Sequence, residues 1–260
     1  RSHPMGSHAG SLSRVLCLYD NAGESFLPGA DQSVTPVTRH LALAKVIFVL
    51  FDPTQDIRFH REMSRFARAD SRHGMDAVPA GNVRQETLFV EAVARLRRYA
   101  GLGQHDPLTA KIVVVVTKYD VWAPLCPDLS KVPPQVWRYV PVSGTNTAPG
   151  RGATTTPEDG VPGRAVVRTN LLQSISSRVS AMLRRLSPEF VAAINGITND
   201  AIYLPVSATG CNAVTDASGN QGFRPKDIRP RWAEAPMLYA IATQLDGFLA
   251  HTRKHQEERS

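Results

Sequence analysis

An acidic residue followed three positions later by glycine ends the first apolar run of the chain. The run is V-L-C-L-Y at residues 15–19, and Asp20, Gly23 and Glu24 come after it. A carboxylate in this place can order a hydrated Mg²⁺ ion, and the glycine lets a backbone N–H approach a terminal phosphate without a side chain in the way. A strand that leads into an ordinary Asn/Gly turn has the same spacing. The motif alone therefore leaves a nucleotide site and a plain turn both open.

Two later apolar runs also end in polar motifs. Residues 112–116 precede T-K-x-D, and residues 202–206 precede S-A-x-G. The motif residues are Thr117, Lys118, Asp120, Ser207, Ala208 and Gly210. Short apolar runs of this kind predict buried strands. We therefore expect three loops that leave one edge of a sheet and converge on a pocket for a purine nucleotide.

The ordered set D-x-x-G, T-K-x-D and S-A-x-G resembles the guanine-nucleotide motifs of P-loop GTPases of the translation-factor-like (TRAFAC) class. The finer patterns L-Y-D-N-A-G-E at residues 18–24 and L-F-D-P-T at residues 50–54 look like the bacterial double-GTPase branch. The resemblance covers most of the chain, from about residue 13 to residue 249. It implies GTP and GDP as ligands, Mg²⁺ as the metal, and a switch that acts on a protein partner.

The resemblance also implies roles for the two later motifs. Asp120 would pair its carboxylate with the two donors on the edge of the guanine ring, and it would reject adenine, which presents an acceptor there. Lys118 would lay its stem over the base. Thr117 stands where the family more often has Asn, and the backbone of Ser207 and Ala208 would cap the guanine carbonyl oxygen.

The first motif would hold the phosphates and the metal. By resemblance, Asp20 orders Mg²⁺ through water and the Gly23 N–H meets the terminal phosphate. Glu24 occupies the position of the water-orienting Gln of many relatives, which makes it the candidate catalytic residue. An ionised Glu accepts hydrogen bonds but donates none, so we expect slow or altered hydrolysis. The alternative is that Glu24 points to solvent in a mobile loop.

The sequence contains no G-x-x-x-x-G-K-[ST] phosphate-binding loop. We therefore expect weak phosphate affinity and weak or absent hydrolysis in this chain, with GTP hydrolysis in a full-length parent. In the family's sheet, the strand of that loop lies between the strand that ends at Asp20 and the strand at residues 45–51. Without it a gap of roughly 9.6 Å remains, which is two strand spacings. Upstream residues, another chain, or closure of the sheet would have to fill it.

The segments between the motifs predict an α/β fold. Residues 45–51 form a continuous apolar run, which predicts a central strand, buried on both faces, in a mainly parallel sheet with helices on both faces. Helices are expected at residues 36–44, 57–68, 82–99, 170–186, 188–196 and 234–249. Gly101 is expected to cap the third of these, and Ser187 to cap the fifth. The resemblance implies a three-layer Ras-like GTPase domain that is incomplete at its amino terminus.

The composition along the chain predicts one domain with an insertion. Residues 1–12 are rich in Ser, His and Gly and are expected to be disordered, and residues 251–260 form a charged tail. By resemblance, residues 13–250 would form the incomplete GTPase-like domain. Within it, residues 121–168 are rich in Pro, Gly and Thr and predict a surface insertion that is partly disordered between residues 143 and 163. The chain does not begin with Met, which indicates a fragment.

The net charge and the cysteine content limit the possible partners and the cellular compartment. The 260 residues carry a formal net charge of +7, with a pI near 9.6, so an acidic partner such as a nucleotide, RNA or an anionic membrane surface is possible. Three widely spaced cysteines argue for a reducing compartment and against a zinc site. The sequence has neither an 18-residue apolar run nor a signal peptide. These features together predict a cytoplasmic protein.

Two other classes of function remain open. The first is a non-catalytic pseudo-GTPase that has lost its phosphate loop and serves as a scaffold or protein-interaction domain. The second is a basic module that binds RNA or a membrane surface. A GK[ST] motif in upstream sequence would favour the enzyme over the scaffold. Basic residues clustered on one face and salt-sensitive binding would favour the module that binds RNA or a membrane surface.

Overall fold

The computed structural model describes residues 15–20, 26–27, 36–66, 84–104, 106–141, 163–211, 214–215, 219–245 and 249–251. The helices in these ranges are α1 Pro36–Leu43, α2 Ile57–Phe66, α3 Gln85–Ala100, the single turn α4 Tyr119–Trp122, α5 Thr169–Leu186, α6 Pro188–Asn195 and α7 Ala235–Gln244. The strands are β1 Val46–Phe51, β2 Lys111–Val116, β3 Trp137–Pro141, β4 Gly163–Val167, β5 Ile202–Pro205, β6 Val214–Thr215, β7 Gln221–Gly222 and β8 Ala250–His251.

The principal sheet has three parallel strands in the order β1–β2–β5. Val49 pairs with Val114 across the first ladder, and Tyr203 with Val114 across the second. Strand β2 is in the middle, and its residues from Ile112 to Val116 are all buried, as a continuous run of Ile and Val predicts. The predicted α/β class and the parallel sheet are therefore confirmed.

Strand β1 exists as predicted, but its predicted central position is wrong. Among the described strands, only β2 pairs with it. Most of its residues are half-buried, and the Leu50 side chain is 67% exposed. We call the side of β1 that faces away from β2 the open edge.

Residues 15–20 do not form the predicted buried strand. They pair with no described strand, and every one of them is exposed, with Val15 at 89%. The ring of Tyr19 stacks on the ring of His40 in α1, with centroids 3.9 Å apart. That contact holds the end of the segment beside α1 rather than against the sheet.

A cavity of about 920 Å³ lies at the open edge of β1. Residues 15–20 line it together with β1, and most of the other side chains around it are apolar. The described part of the chain therefore does not close over the gap that the missing strand was expected to leave.

The helices follow the predicted pattern closely. Helix α3 ends at Gly101, which adopts a left-handed conformation (φ 66°) and donates to the Arg97 and Arg98 carbonyls, as a C-cap glycine should. Ser187 precedes α6 as predicted, but its side chain does not cap the helix. Its Oγ donates instead to the Asp56 carboxylate at 3.0 Å. The last helix, α7, ends at Gln244, earlier than expected.

The predicted surface insertion at residues 121–168 is largely wrong for the part that the structure describes. Trp122 and Leu129 are fully buried, and Val136 and Val167 belong to the same core. Strands β3 and β4 pair antiparallel, and β4 pairs parallel with β8 at residues 250–251. Residues 142–162 lie outside the described residues, as do 1–14 and 252–260.

Candidate functional site

Three loops meet at the carboxyl edge of the principal sheet. Backbone hydrogen bonds continue past the strand ends: the Thr117 N–H donates to the Phe51 carbonyl, and the Val206 N–H to the Val116 carbonyl, both at 2.9 Å. The Tyr119 N–H then donates to Val206 at 3.0 Å. The loops after β1, β2 and β5 are thus fixed to one another, as parallel strands require when their ends are level.

Tyr119, the third residue of the T-K-x-D motif, anchors that loop in the core. The Tyr119 side chain is 4% exposed and packs edge-on against Trp122 and obliquely against Trp232, at 5.0 and 5.1 Å. Burial raises the pKa of the Tyr119 hydroxyl above its ordinary value, and the positive Arg231 guanidinium offsets part of that rise. Because the Tyr119 ring is packed in the core, it fixes the backbone positions of Lys118 and Asp120, its two neighbours in sequence.

Lys118 adopts a left-handed backbone conformation, with φ 54°. A residue with a Cβ pays roughly 1–2 kcal/mol for this conformation, so its surroundings must stabilise it. Its Nζ lies 3.0 Å from Asp52 Oδ2 and donates to Thr54 Oγ1 at 3.0 Å. Strained backbone conformations of this kind occur frequently at functional sites.

Asp52 and Thr54 are site residues to which sequence reasoning assigned no role. Asp52 Oδ1 accepts from the Thr54 N–H and hydroxyl, at 2.9 and 2.7 Å. The Gln85 side chain on α3 clamps the Asp52 backbone, accepting from its N–H at 2.7 Å and donating to its carbonyl at 2.9 Å. The sequence did carry a signal for Asp52, because Asp52 directly follows an apolar run, and this same pattern identified Asp20 as a candidate.

Asp120 contacts the third loop. Ser207 Oγ donates to Asp120 Oδ1, and the same Oγ accepts from the Gly210 N–H at 2.8 Å. Ser207 is 2% exposed, whereas Asp120 is half-buried. Ser207 therefore orients the Asp120 carboxylate, and part of that carboxylate remains accessible to solvent.

The Ser207 N–H already donates to the Arg231 carbonyl at 3.0 Å, so within the predicted Ser207–Ala208 cap the Ala208 N–H is left for a guanine carbonyl oxygen. The Arg231 N–H returns a bond to the Ser207 carbonyl at 2.9 Å. Ala208, the other residue proposed for this role, is exposed.

The residues of the first motif are not joined to this group. Asp20 is exposed and lines the cavity at the open edge, whereas Lys118, Asp120 and Ser207 do not line that cavity. Gly23 and Glu24 lie outside the described residues. The structure thus brings Thr117, Lys118, Asp120 and Ser207 together, whereas Asp20 lines a cavity to which they do not contribute.

Asp20, the predicted Mg²⁺ ligand, lines the cavity at the open edge and is not part of this group. The described residues contain no group of three or more His, Cys, Asp or Glu side chains that could hold an ion. Mg²⁺ in nucleotide sites uses one or two carboxylates, with water and phosphate oxygens as the remaining ligands. The role of Asp20 as such a carboxylate stays a prediction.

Comparisons of the chain with protein families, with curated proteins and with solved structures gave no match. In the part of the chain that the structure describes, no helix has the length and apolarity needed to cross a membrane. All three cysteines are free thiols.

Proposed function

We propose that this chain is a guanine-nucleotide-binding domain that recognises the base through the loops after β2 and β5. The observation that carries the proposal is the fixed group of Lys118, Asp120 and Ser207 at the carboxyl edge of a parallel sheet. Ligands of open α/β sheets bind outside this edge. The β1–β2–β5 order is compatible with the incomplete Ras-like fold that the resemblance implies.

Asp120 has the chemistry to read the base. A carboxylate accepts about four hydrogen bonds, and Ser207 uses one of these positions, on Oδ1. Capacity remains for the ring N–H and the amino group of guanine. The Lys118 side chain is 44% exposed, with its ammonium held by Asp52. Its stem is therefore free to cover an apolar ring face.

The phosphates contribute less to the proposed affinity. The sequence has no phosphate-binding loop, and Asp20 is exposed and lines the cavity at the open edge, which the base-reading residues do not line. We therefore expect GTP and GDP to bind with similar affinity, with Mg²⁺ adding little. Hydrolysis with Glu24 as the water-orienting residue belongs to the proposal only for a polypeptide that also supplies a phosphate-binding loop.

Calorimetric titration with GDP and ADP tests the proposal. We expect saturable GDP binding and a much weaker response to ADP. Asp120→Asn should weaken GDP binding at least about tenfold, because a hydrogen bond to a charged group contributes about 1.5–3 kcal/mol. The same variant should gain affinity for xanthosine diphosphate, whose extra carbonyl oxygen can accept from the Asn amide.

Asp128→Asn is the matched control, because Asp128 is an exposed acid near the same loop, on the turn at Pro127–Lys131. It removes the same charge without touching Ser207. GDP binding that survives unchanged in Asp120→Asn, or that falls equally in both variants, would remove Asp120 as the base-reading residue. Absence of GDP binding in the unmodified chain would remove the proposal itself.

A non-catalytic interaction domain is the second candidate, and the open edge of β1 with its large apolar cavity favours it. A chain that binds no guanosine nucleotide but does bind a polypeptide at β1 would be such a domain. The RNA- or membrane-surface-binding module remains an expectation from net charge alone.

A further inference from the structure

We propose that Asp52 is a positioning residue for base recognition, and that it determines how tightly a purine is held but not which purine is chosen. The inference rests on the proposed function, because it assigns a role within the same site. In this role Asp52 does not contact the base. It acts through Lys118, whose ammonium group it holds.

The side chains on either side of Tyr119 are held by different loops. Lys118 Nζ lies 3.0 Å from Asp52 Oδ2, in the loop after β1. Asp120 Oδ1 accepts from Ser207 Oγ, in the loop after β5. Because β2 lies between β1 and β5, the Lys118 stem crosses the carboxyl edge toward one neighbouring strand and the Asp120 carboxylate lies toward the other. This arrangement suits a ligand whose ring face is covered by Lys118 while its ring edge is read by Asp120.

The group that holds the Lys118 ammonium is itself fixed. Asp52 Oδ1 accepts from the N–H and the hydroxyl of Thr54, a residue that is 2% exposed. The Thr54 hydroxyl oxygen in turn accepts from Lys118 Nζ at 3.0 Å. The Gln85 side chain on α3 pairs with both backbone groups of Asp52. The ammonium therefore meets a carboxylate and a hydroxyl that the rest of the fold has already oriented.

The energetics of this ion pair favour a role in binding over a role in stability. The side chains of Lys118 and Asp52 are 44% and 26% exposed, and ion pairs in contact with solvent contribute little to stability. What the pair does change is the freedom of a long side chain. A free lysine loses rotamer entropy when a ligand immobilises it, whereas a lysine held by Asp52 has lost that freedom before the ligand arrives. Asp52 would thus strengthen binding without a contact of its own.

This role separates affinity from selectivity. Every purine presents a similar ring face to the Lys118 stem, whereas the donors and acceptors that distinguish purines lie on the ring edge that Asp120 reads. Asp52→Asn should therefore weaken GDP binding by about threefold to tenfold, the range expected when one flexible side chain is released. Asparagine has the same shape and can still accept from Thr54, but it offers no charge to the ammonium. In a chain that also carries Asp120→Asn, it should weaken the binding of xanthosine diphosphate by the same factor.

Asp200→Asn is the matched control for these calorimetric titrations. Asp200 pairs with Lys111 at the amino end of β2, so the change removes the same kind of ion pair from the opposite edge of the same sheet. It should leave GDP binding unchanged. A second test uses Lys118→Met, which has no ammonium to hold. In that background Asp52→Asn should have no further effect, since a residue that acts only through Lys118 cannot add to its loss.

Three titration results would overturn the proposal. The first is equal weakening of GDP binding by Asp52→Asn and Asp200→Asn. The second is a further loss when Asp52→Asn is added to Lys118→Met, because Asp52 would then act by another route. The third is a different factor for GDP and for xanthosine diphosphate, because Asp52 would then contribute to the choice of base.

NMR relaxation of the Lys118 side chain tests the positioning without any nucleotide. The Lys118 methylene groups should be ordered in the unmodified chain and in Asp200→Asn, and mobile in Asp52→Asn. Equal mobility in the unmodified chain and in Asp52→Asn would overturn the proposal whether or not GDP binds. An ordered Lys118 in a chain that binds no GDP would instead remove the proposed function, and the role of Asp52 in base recognition with it.

Discussion

Replacement of Gly210 by alanine tests how the S-A-T-G loop is built. Gly210 has φ +67°, and a Cβ there would overlap the Arg229 carbonyl oxygen and lie 2.5 Å from the carbonyl carbon. Ordinary contact between carbon atoms is about 3.5–4.0 Å, so one of the two segments must move by about 1 Å. No side-chain rotation can relieve the overlap, since both partners are backbone atoms.

The cost follows from what that movement breaks. The left-handed conformation alone costs alanine about 1–2 kcal/mol. Movement of the loop also disturbs the bond from the Arg229 N–H to Thr209, at 2.7 Å, and the two bonds between Ser207 and Arg231. At about 0.5–1.5 kcal/mol for each of these three bonds, we expect a total destabilisation of about 2.5–6.5 kcal/mol.

Urea and thermal denaturation measure this loss, with Gly219→Ala as the matched control. Gly219 also has a positive φ, 85°, but nothing lies within 4 Å of its added Cβ. The control should therefore lose only about 1–2 kcal/mol. For Gly210→Ala the melting temperature should fall by roughly 10 °C, at about 2–4 °C for each kcal/mol. Equal losses in the two variants would refute the close approach of residues 210 and 229.

Three further predictions concern single side chains. Asp52→Asn removes the charge opposite Lys118, and because that pair is partly exposed we expect a change below about 1 kcal/mol in urea unfolding. Burial raises the pKa of Tyr203 from 10.0 to about 12. The folded state then keeps a proton that the unfolded chain loses, so stability should be complete below pH 10 and should fall as the pH rises toward 12. Tyr203→Phe should make that alkaline fall smaller in melting experiments, and the part due to the buried Tyr119 should remain. Arg231→Lys should cost about 1–3 kcal/mol in urea unfolding, because lysine cannot both donate to the Val132 carbonyl and present a flat guanidinium to neighbouring rings.

The elements that sequence predicted well are those whose signals are local. Strand β2 follows from consecutive Ile and Val, and α5 follows from apolar residues at helical spacing. Gly101 and Pro188 mark helix boundaries through their own backbone preferences. The polar motifs after β2 and β5 could be placed at one edge because parallel strands share their carboxyl ends.

The errors concern contacts between distant parts of the chain. An apolar run at residues 46–51 predicts a strand but not the number of its neighbours, so the run itself wrongly indicated a central strand, and the gap beside β1 was expected only through the resemblance. Residues 15–19 have the composition of a buried strand, yet nothing among the described residues covers them. The bond between Lys118 and Thr54 joins residues far apart in sequence. Strands β3 and β4 were missed because a Pro-, Gly- and Thr-rich stretch separates them.

The pairing of Pro141 with Gly163 at the end of β3 and β4 has a practical consequence. Residues 142–162 leave and re-enter the fold at adjacent backbone positions, so the ladder itself already holds their ends together. Each doubling of a loop's length adds only about 0.6 kcal/mol of closure entropy. This hairpin is therefore the natural place to graft a fluorescent reporter.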